Sequence, residues 1–273
     1  NFILNPLIKQ KKINIIPCDI LKFDSLEKCL KDTSPNEIYY LATTHEKTLT
    51  IQNYNDVLNV NVNGLVNILE VIRNNLISTK VFYASSSNIF VNTKESPQNE
   101  NTIPCPSSLY GLAKLTAMNI IKFYKINYNL FICYGILYNH ESILRKKEFL
   151  PIKIIETAID IKFGKSKKLI IGSLEDQRDW SSVEDFVKAM WLMLQSKFPK
   201  NYIIGSGQNL KVLDIIKYTF DYLDLNWSDY VECDEKLMRN LKSDHLVADI
   251  SKIKNDLGWS PTKSFKKVLE RII

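Results

Sequence analysis

Glycine is scarce in this chain. Eight occur in 273 residues, none precedes Gly64, and no Gly-x-x-Gly-x-x-Gly run exists. A glycine-rich turn lets the backbone close on a diphosphate at a helix N-terminus, so no such phosphate cradle can be drawn from these residues. Histidine is scarcer still: His45, His140 and His245 are too few and too scattered for a histidine metal cluster, and no metal is expected. The five cysteines (Cys18, Cys29, Cys105, Cys133 and Cys233) are odd in number, far apart and without a Cys-x-x-Cys pair. That pattern fits reduced thiols in a cytoplasmic protein rather than a disulfide frame or a zinc site. No apolar run approaches the ~20 residues that span a membrane, so no membrane partner is expected. Residues 1–6 carry neither a basic flank nor a small-residue cleavage site, and no signal peptide is expected in them.

The net charge of +6 is modest, and the lysines are dispersed apart from clusters at 9–12, 145–147 and 165–168. Without aromatic–basic interleaving, no nucleic-acid partner is expected. Most of these lysines read as a solvated surface, and a few would suit an anionic small molecule. With 45% apolar residues the chain has ample material for a core.

The apolar pattern alternates strand and helix. Strands are predicted at 13–20, 37–43, 80–85 and 129–135. Helices are predicted at 24–32, 55–75 and 107–127, with Asn53 or Asn55 capping the second. Strands that are almost continuously apolar and separated by long helices predict an α/β, doubly wound parallel sheet covered on both faces. Beyond about residue 140 the rhythm loosens. Helices are expected at 149–163, 183–195 and 210–223, strands at 168–172 and 201–205, and two short helices around Gly258. This second part reads as a small lobe woven onto the first.

The central stretch is Tyr110-Gly111-Leu112-Ala113-Lys114, preceded by Ser85-Ser86-Ser87 at the end of a predicted strand. A Tyr and a Lys four apart share one helix face. A nearby ammonium favours the phenolate, and a phenolate can take a proton from a sugar hydroxyl while hydride leaves for a nicotinamide. The spacing alone also arises by chance, as a half-buried Tyr beside a solvated Lys.

Strand, serine run, Tyr-x-x-x-Lys helix, strand and a small C-terminal lobe together resemble the extended short-chain dehydrogenase/reductase superfamily. Three stretches narrow the resemblance to the GDP-mannose 4,6-dehydratase family: residues 135–142 (Gly-Ile-Leu-Tyr-Asn-His-Glu-Ser), 177–180 (Gln-Arg-Asp-Trp) and 189–195 (Ala-Met-Trp-Leu-Met-Leu-Gln). The likeness runs from about Ile13 to the C-terminus.

The resemblance implies a partial dinucleotide-binding Rossmann domain over 1–140 and a mainly substrate-binding lobe over 141–273. It implies NADP as cofactor, with NAD as the alternative, a nucleotide sugar (GDP-mannose) as substrate, and a homodimer or homotetramer. Tyr110 would be the base on the sugar 4-hydroxyl, and Ser86 would hydrogen-bond the same oxygen. Lys114 would lower the Tyr110 pKa and hold the nicotinamide ribose. Asp19 and Ile20, with Leu41, Ala42 and Thr43 in the 41–45 stretch, would line the adenine and pyrophosphate side, and His140 and Arg145 would contact the dinucleotide. Asn139, Arg178 and Arg239 would hold the substrate, an Arg fork suiting phosphate. For two of these a structural role stays open: Arg178 as an ion pair with Asp179, and His140 as a satisfied core histidine.

Three departures from the family follow. Position 88, where the family carries the Glu that removes the C5 proton, is Asn88. An amide cannot accept that proton, and loss of a general base removes ~10²–10⁴ in rate. Lys242 stands where the family has a Glu in Arg-Pro-x-Glu, which bears on nucleoside specificity. The predicted strand at 13–20 corresponds to the third strand of the family, so in a 3-2-1-4-5-6 sheet the first two would leave a central gap and two open edges. The expectation is therefore a fragment or truncated reading of a longer gene; a complete chain of this kind would be expected to bind dinucleotide poorly and fold badly. The alternatives are a related nucleotide-sugar epimerase or 4-keto reductase, which needs no Glu at 88, or a catalytically dead homologue serving as a binding or oligomer partner.

Overall fold

The computed structural model describes residues 4–10, 12–44, 50–75, 78–237 and 246–273. In chain order, α1 is Leu4–Lys9, α2 Phe23–Thr33, β1 Glu37–Tyr40 and α3 Ile51–Leu58; a π turn, Asn59–Asn63, leads into α4, Gly64–Asn75. Then come β2 (Lys80–Ser86), a 3₁₀ turn (Ser87–Phe90), α5 (Leu109–Tyr128), β3 (Ile132–Leu137) and β4 (Asn139–Glu141). The remainder is α6 (Leu150–Lys162), β5 (Leu169–Ile171), β6 (Gln177–Arg178), β7 (Trp180–Ser182), α7 (Val183–Gln195), β8 (Tyr202–Ile204), β9 (Leu210–Lys211), α8 (Val212–Tyr222), β10 (Val231–Cys233), α9 (Ser251–Leu257) and α10 (Phe265–Ile272).

The main sheet is parallel, in the order β1-β2-β3-β8. Successive strand residues point to opposite faces. Phe82 and Tyr83 on β2 are both fully buried, so both faces are covered. The adjoining core runs from α2 through α4, α5 and α7 to Trp259. A second core, built from α6, β5, α8 and α10 with Trp180, fills the C-terminal lobe. Trp180 and Phe265 stack there at 5.8 Å. β8, although late in sequence, pairs with β3, so the two parts of the chain share the main sheet.

The predicted strand at 13–20 does not form. Residues 13–19 are irregular, and Ile15 and Ile16 are 64% and 51% exposed. An apolar run becomes a strand only where a neighbour satisfies its N–H and C=O groups, and among the described residues none lies beside this one. β1 is the outer strand of the sheet, in place of the expected central gap. The second helix also differs from expectation. It starts at Ile51, and its cap is Thr50, whose hydroxyl accepts the N–H of Asn53. The short pairs β4–β7 and β6–β9 lie outside the predicted strands.

Candidate functional site

In a parallel sheet all strands end on the same edge, and ligands bind in the crevice outside those carboxyl ends. The residues after β1, at the end of β2 and after β3 are Leu41–Thr44, Ser86–Asn88 and Asn139–Glu141, so most of the expected site lies on this one edge.

Ser86 closes β2, and its hydroxyl accepts the N–H of Asn88 at 3.2 Å, capping the 87–90 turn. Ser108 caps α5 by accepting the N–H of Gly111. This fixes Tyr110 in the first turn of the helix and Lys114 one turn on. Lys114 is 2% exposed, donates to the Ala84 carbonyl at 2.8 Å, and has its ammonium 5.5 Å from the Tyr110 ring centre and 4.7 Å from that of Tyr83. The chance reading, with a solvated lysine, is therefore excluded. Burial pulls the Lys114 pKa down to about 7, so its charge is balanced near neutrality. Ser86, Asn88, Tyr110 and Lys114 form one cluster, with half-buried Asn88 at the position of the expected carboxylate.

The residues expected on the dinucleotide side form a second group. Asp19 accepts the N–H of Leu21 at 3.0 Å, and the Ile20 carbonyl accepts the Asn67 amide at 2.9 Å. Leu41, Ala42 and Thr43 follow β1 and are exposed, while the Thr43 hydroxyl donates to Asn61 at 2.8 Å. His45 lies outside the described residues. Asn61, fully buried in the π turn, is a functional position that apolar period alone does not reveal. Its signal is the polar alternation Asn59-Val60-Asn61-Val62-Asn63 in the middle of a helix.

Beyond β3, His140 Nδ1 donates to the Tyr138 carbonyl at 2.9 Å, and the ring lies 4.5 Å from Phe186. Burial lowers its pKa, so the imidazole is neutral. Glu141 is 3% exposed, and burial raises its pKa to about 7 against the opposing pull of Arg145, whose Nε lies 3.3 Å away. The Arg145 guanidinium also sits over the Phe149 ring at 3.4 Å.

Asn139 donates its side-chain amide to the Asp179 carbonyl at 3.1 Å. Arg178 pairs with Asp176 at 3.5 Å. Arg178 also donates to the Gln177 carbonyl at 2.6 Å. Asp179 is fully buried and accepts from the N–H and hydroxyl of Ser206 and from the N–H groups of Gly207 and Ala248. Arg239 and Lys242 lie outside the described residues.

The chemistry of the donor set at one end of this edge suits a nicotinamide nucleotide: buried Lys114 carries three donors and Tyr110 a phenol, groups able to hydrogen-bond the hydroxyls of a ribose. At the diphosphate end the described residues show no glycine turn leading into a helix N-terminus.

The parallel sheet with Ser86, Tyr110 and Lys114 on its carboxyl edge defines a Rossmann-fold protein of the short-chain dehydrogenase/reductase type. The family model for GDP-mannose 4,6 dehydratase matches residues 3–272. GDP-mannose 4,6 dehydratase 2 of Arabidopsis thaliana is 35% identical over 259 residues, covering 93% of this chain and 69% of that protein. The chain belongs to the GDP-mannose 4,6-dehydratase family. Two solved structures share its fold. RMD from Pseudomonas aeruginosa complexed with NADPH matches with a TM-score of 0.85 at 23% identity, covering 94% of this chain and 86% of that one. dTDP-glucose 4,6-dehydratase from Bacillus anthracis in complex with NAD matches with a TM-score of 0.81 at 22% identity, covering 94% and 77%.

Proposed function

We propose that this chain is a nucleotide-sugar 4,6-dehydratase that takes GDP-mannose and uses NADP, with its elimination step slowed by Asn88. The observation that carries the reading is the buried Lys114 beside Tyr110 and Ser86 in a chain of this family. The bound nicotinamide nucleotide supplies the hydride acceptor at C4 and the hydride returned at C6. Tyr110 takes the proton of the 4-hydroxyl, and Ser86 hydrogen-bonds that oxygen. Lys114 favours the Tyr110 phenolate while charged and offers donors to the nicotinamide ribose. Arg178, with Arg239, holds the diphosphate. Asp19, Ile20, the 41–43 residues, His140 and Arg145 hold the dinucleotide, and Asn139 lies on the sugar side.

Removal of the C5 proton, which lets the C6 hydroxyl leave as water, needs a base, and Asn88 offers only an amide. Asn88 therefore favours a second reading, in which C4 oxidation proceeds and elimination does not, as in an epimerase or 4-keto reductase. A homologue kept only for binding is the third. The free cysteines support a cytoplasmic setting, and a homodimer or homotetramer is the assembly we expect.

Incubation with GDP-mannose and NADP(H) separates these readings. A 4-keto-6-deoxy sugar supports the dehydratase. A 4-keto sugar that retains its 6-hydroxyl supports the uncoupled oxidoreductase. No product from either the natural chain or Asn88→Glu leaves binding as the role.

A further inference from the structure

The π turn between α3 and α4 places its carbonyls unusually. The Gly64 N–H bonds back five residues to Asn59 rather than four to Val60. The slip releases the Val60 carbonyl, which accepts the hydroxyl of Tyr40. The next carbonyl, that of Asn61, accepts the hydroxyl of Tyr83 at 3.0 Å. Tyr40 and Tyr83 are register partners on β1 and β2, and their rings stack 5.6 Å apart at 19°. Gly64 allows the approach, since a Cβ there would lie 2.6 Å from the Tyr40 hydroxyl oxygen.

The Asn61 side chain is fully used. It accepts from Thr43 at 2.8 Å and donates to the carbonyls of Thr44 and Val57 at 3.0 and 2.9 Å. The turn is therefore tied at once to the loop after β1 and, through Tyr83, to β2. The Tyr83 ring is the surface over which the Lys114 ammonium sits.

Two buried phenols need acceptors in any core. Here the acceptors come from a helix distortion, and the pinned ring lies against the one buried lysine of the site cluster. We propose that Asn61 and Tyr83 are positioning residues for Lys114: the distorted turn pins the Tyr83 hydroxyl, and the pinned ring forms the dry floor under the ammonium. The inference rests on the proposed function only in giving Lys114 work to do; the clasp itself is a property of the chain without ligand. From the elements packed on Lys114, the titratable groups that face it are the phenols of Tyr83 on β2 and Tyr110 on α5.

The test is the protonation of Lys114 in the full chain, read without substrate or nucleotide by competitive acetylation with acetic anhydride across pH and peptide mass spectrometry. In the natural chain, Lys114 is expected to titrate near 7. In Tyr83→Phe the Asn61 carbonyl loses its donor and the ring its anchor, so water reaches the ammonium. The midpoint then moves upward, and the reactive free-amine fraction at pH 7 falls by roughly fivefold or more. Asn61→Ala is expected to act in the same direction. Unchanged Lys114 titration in both variants, with urea midpoints showing both folded, overturns the proposal. If neither folds, Thr43→Val decides it by removing one bond to Asn61 while leaving every buried ring in place: an upward shift supports the clasp and no shift overturns it. A separate arm adds NADPH to the natural chain. Failure of NADPH to slow Lys114 acetylation counts against the functional reading alone.

Discussion

Gly111 and Asn88 are in direct contact: a Cβ placed on Gly111 would stand 2.7 Å from the Asn88 carbonyl oxygen and 3.0 Å from Pro106. The first turn of α5, which carries Tyr110, is thereby seated on the 87–90 turn that follows Ser86. Gly111→Ala forces one of these backbones to move. An alanine favours the helix by up to ~1 kcal/mol, but overpacking against backbone costs ~1–3 kcal/mol. We expect net destabilisation in urea titration, together with a fall in turnover, because the first turn of α5, which carries Tyr110, is pushed away from the 87–90 turn.

Lys114 gives stability a pH dependence of definite sign. Its folded pKa of about 7 lies below the ordinary value of 10.5. Between these values the unfolded chain binds a proton that the folded chain has lost, so this residue's contribution makes stability rise with pH across that window. Lys114→Met removes the rise and is more stable than the natural chain at and below pH 7, while losing activity. Urea midpoints at pH 7 and pH 9.5 for the two proteins check this.

Glu141 acts in the opposite sense at lower pH. Burial raises its pKa from 4.5 to about 7. Between those values the folded chain holds a proton that the unfolded chain releases, so stability falls as pH rises through the window. Glu141→Gln abolishes that fall, and the difference between pH 5 and pH 8 shrinks by on the order of 2–3 kcal/mol. Thermal midpoints at the two pH values measure it.

Asp179 holds the 206–207 and 248 backbones with four accepted hydrogen bonds. Asp179→Ala removes the acceptor of three N–H groups, those of buried Ala248, half-buried Ser206 and exposed Gly207, and each of the first two costs ~1–3 kcal/mol when stranded. We expect a loss of at least ~2 kcal/mol in denaturant titration. The variant also loosens the ground under Asn139, whose amide donates to the Asp179 carbonyl.

The parts of the fold legible in the sequence are those whose signal is local. α7 falls where its apolar period places it, at Val183–Gln195, and β2 runs into the serines as expected. Tyr110 and Lys114 share a helix face because four residues make about one turn. What stayed hidden depends on partners distant in sequence. Residues 13–19 have the composition of a strand, but pairing, not composition, makes one. β5 and β8 form within the predicted 168–172 and 201–205 segments, whereas β4, β6, β7, β9 and β10, of two or three residues each, are too short to show a period. The cap at Thr50 displaced Asn53 because Asn53 lies inside the helix and donates to Thr50 instead. Asn61 looked like an interruption of an apolar helix face, and its work appears only when Thr43, Tyr40 and Tyr83 are brought to the π turn. The motif around His140 does not show its side-chain partners within the chain, the Tyr138 carbonyl and the Phe186 ring.

The most direct measurement is the mass of the sugar formed from GDP-mannose, with NADP(H) present, by the natural chain, Asn88→Glu and Tyr110→Phe. The account predicts loss of one water from the sugar, slow in the natural chain, faster by ~10²–10⁴ in Asn88→Glu and absent in Tyr110→Phe. Equal rates of water loss with Asn or Glu at position 88, or undiminished product from Tyr110→Phe, would contradict it.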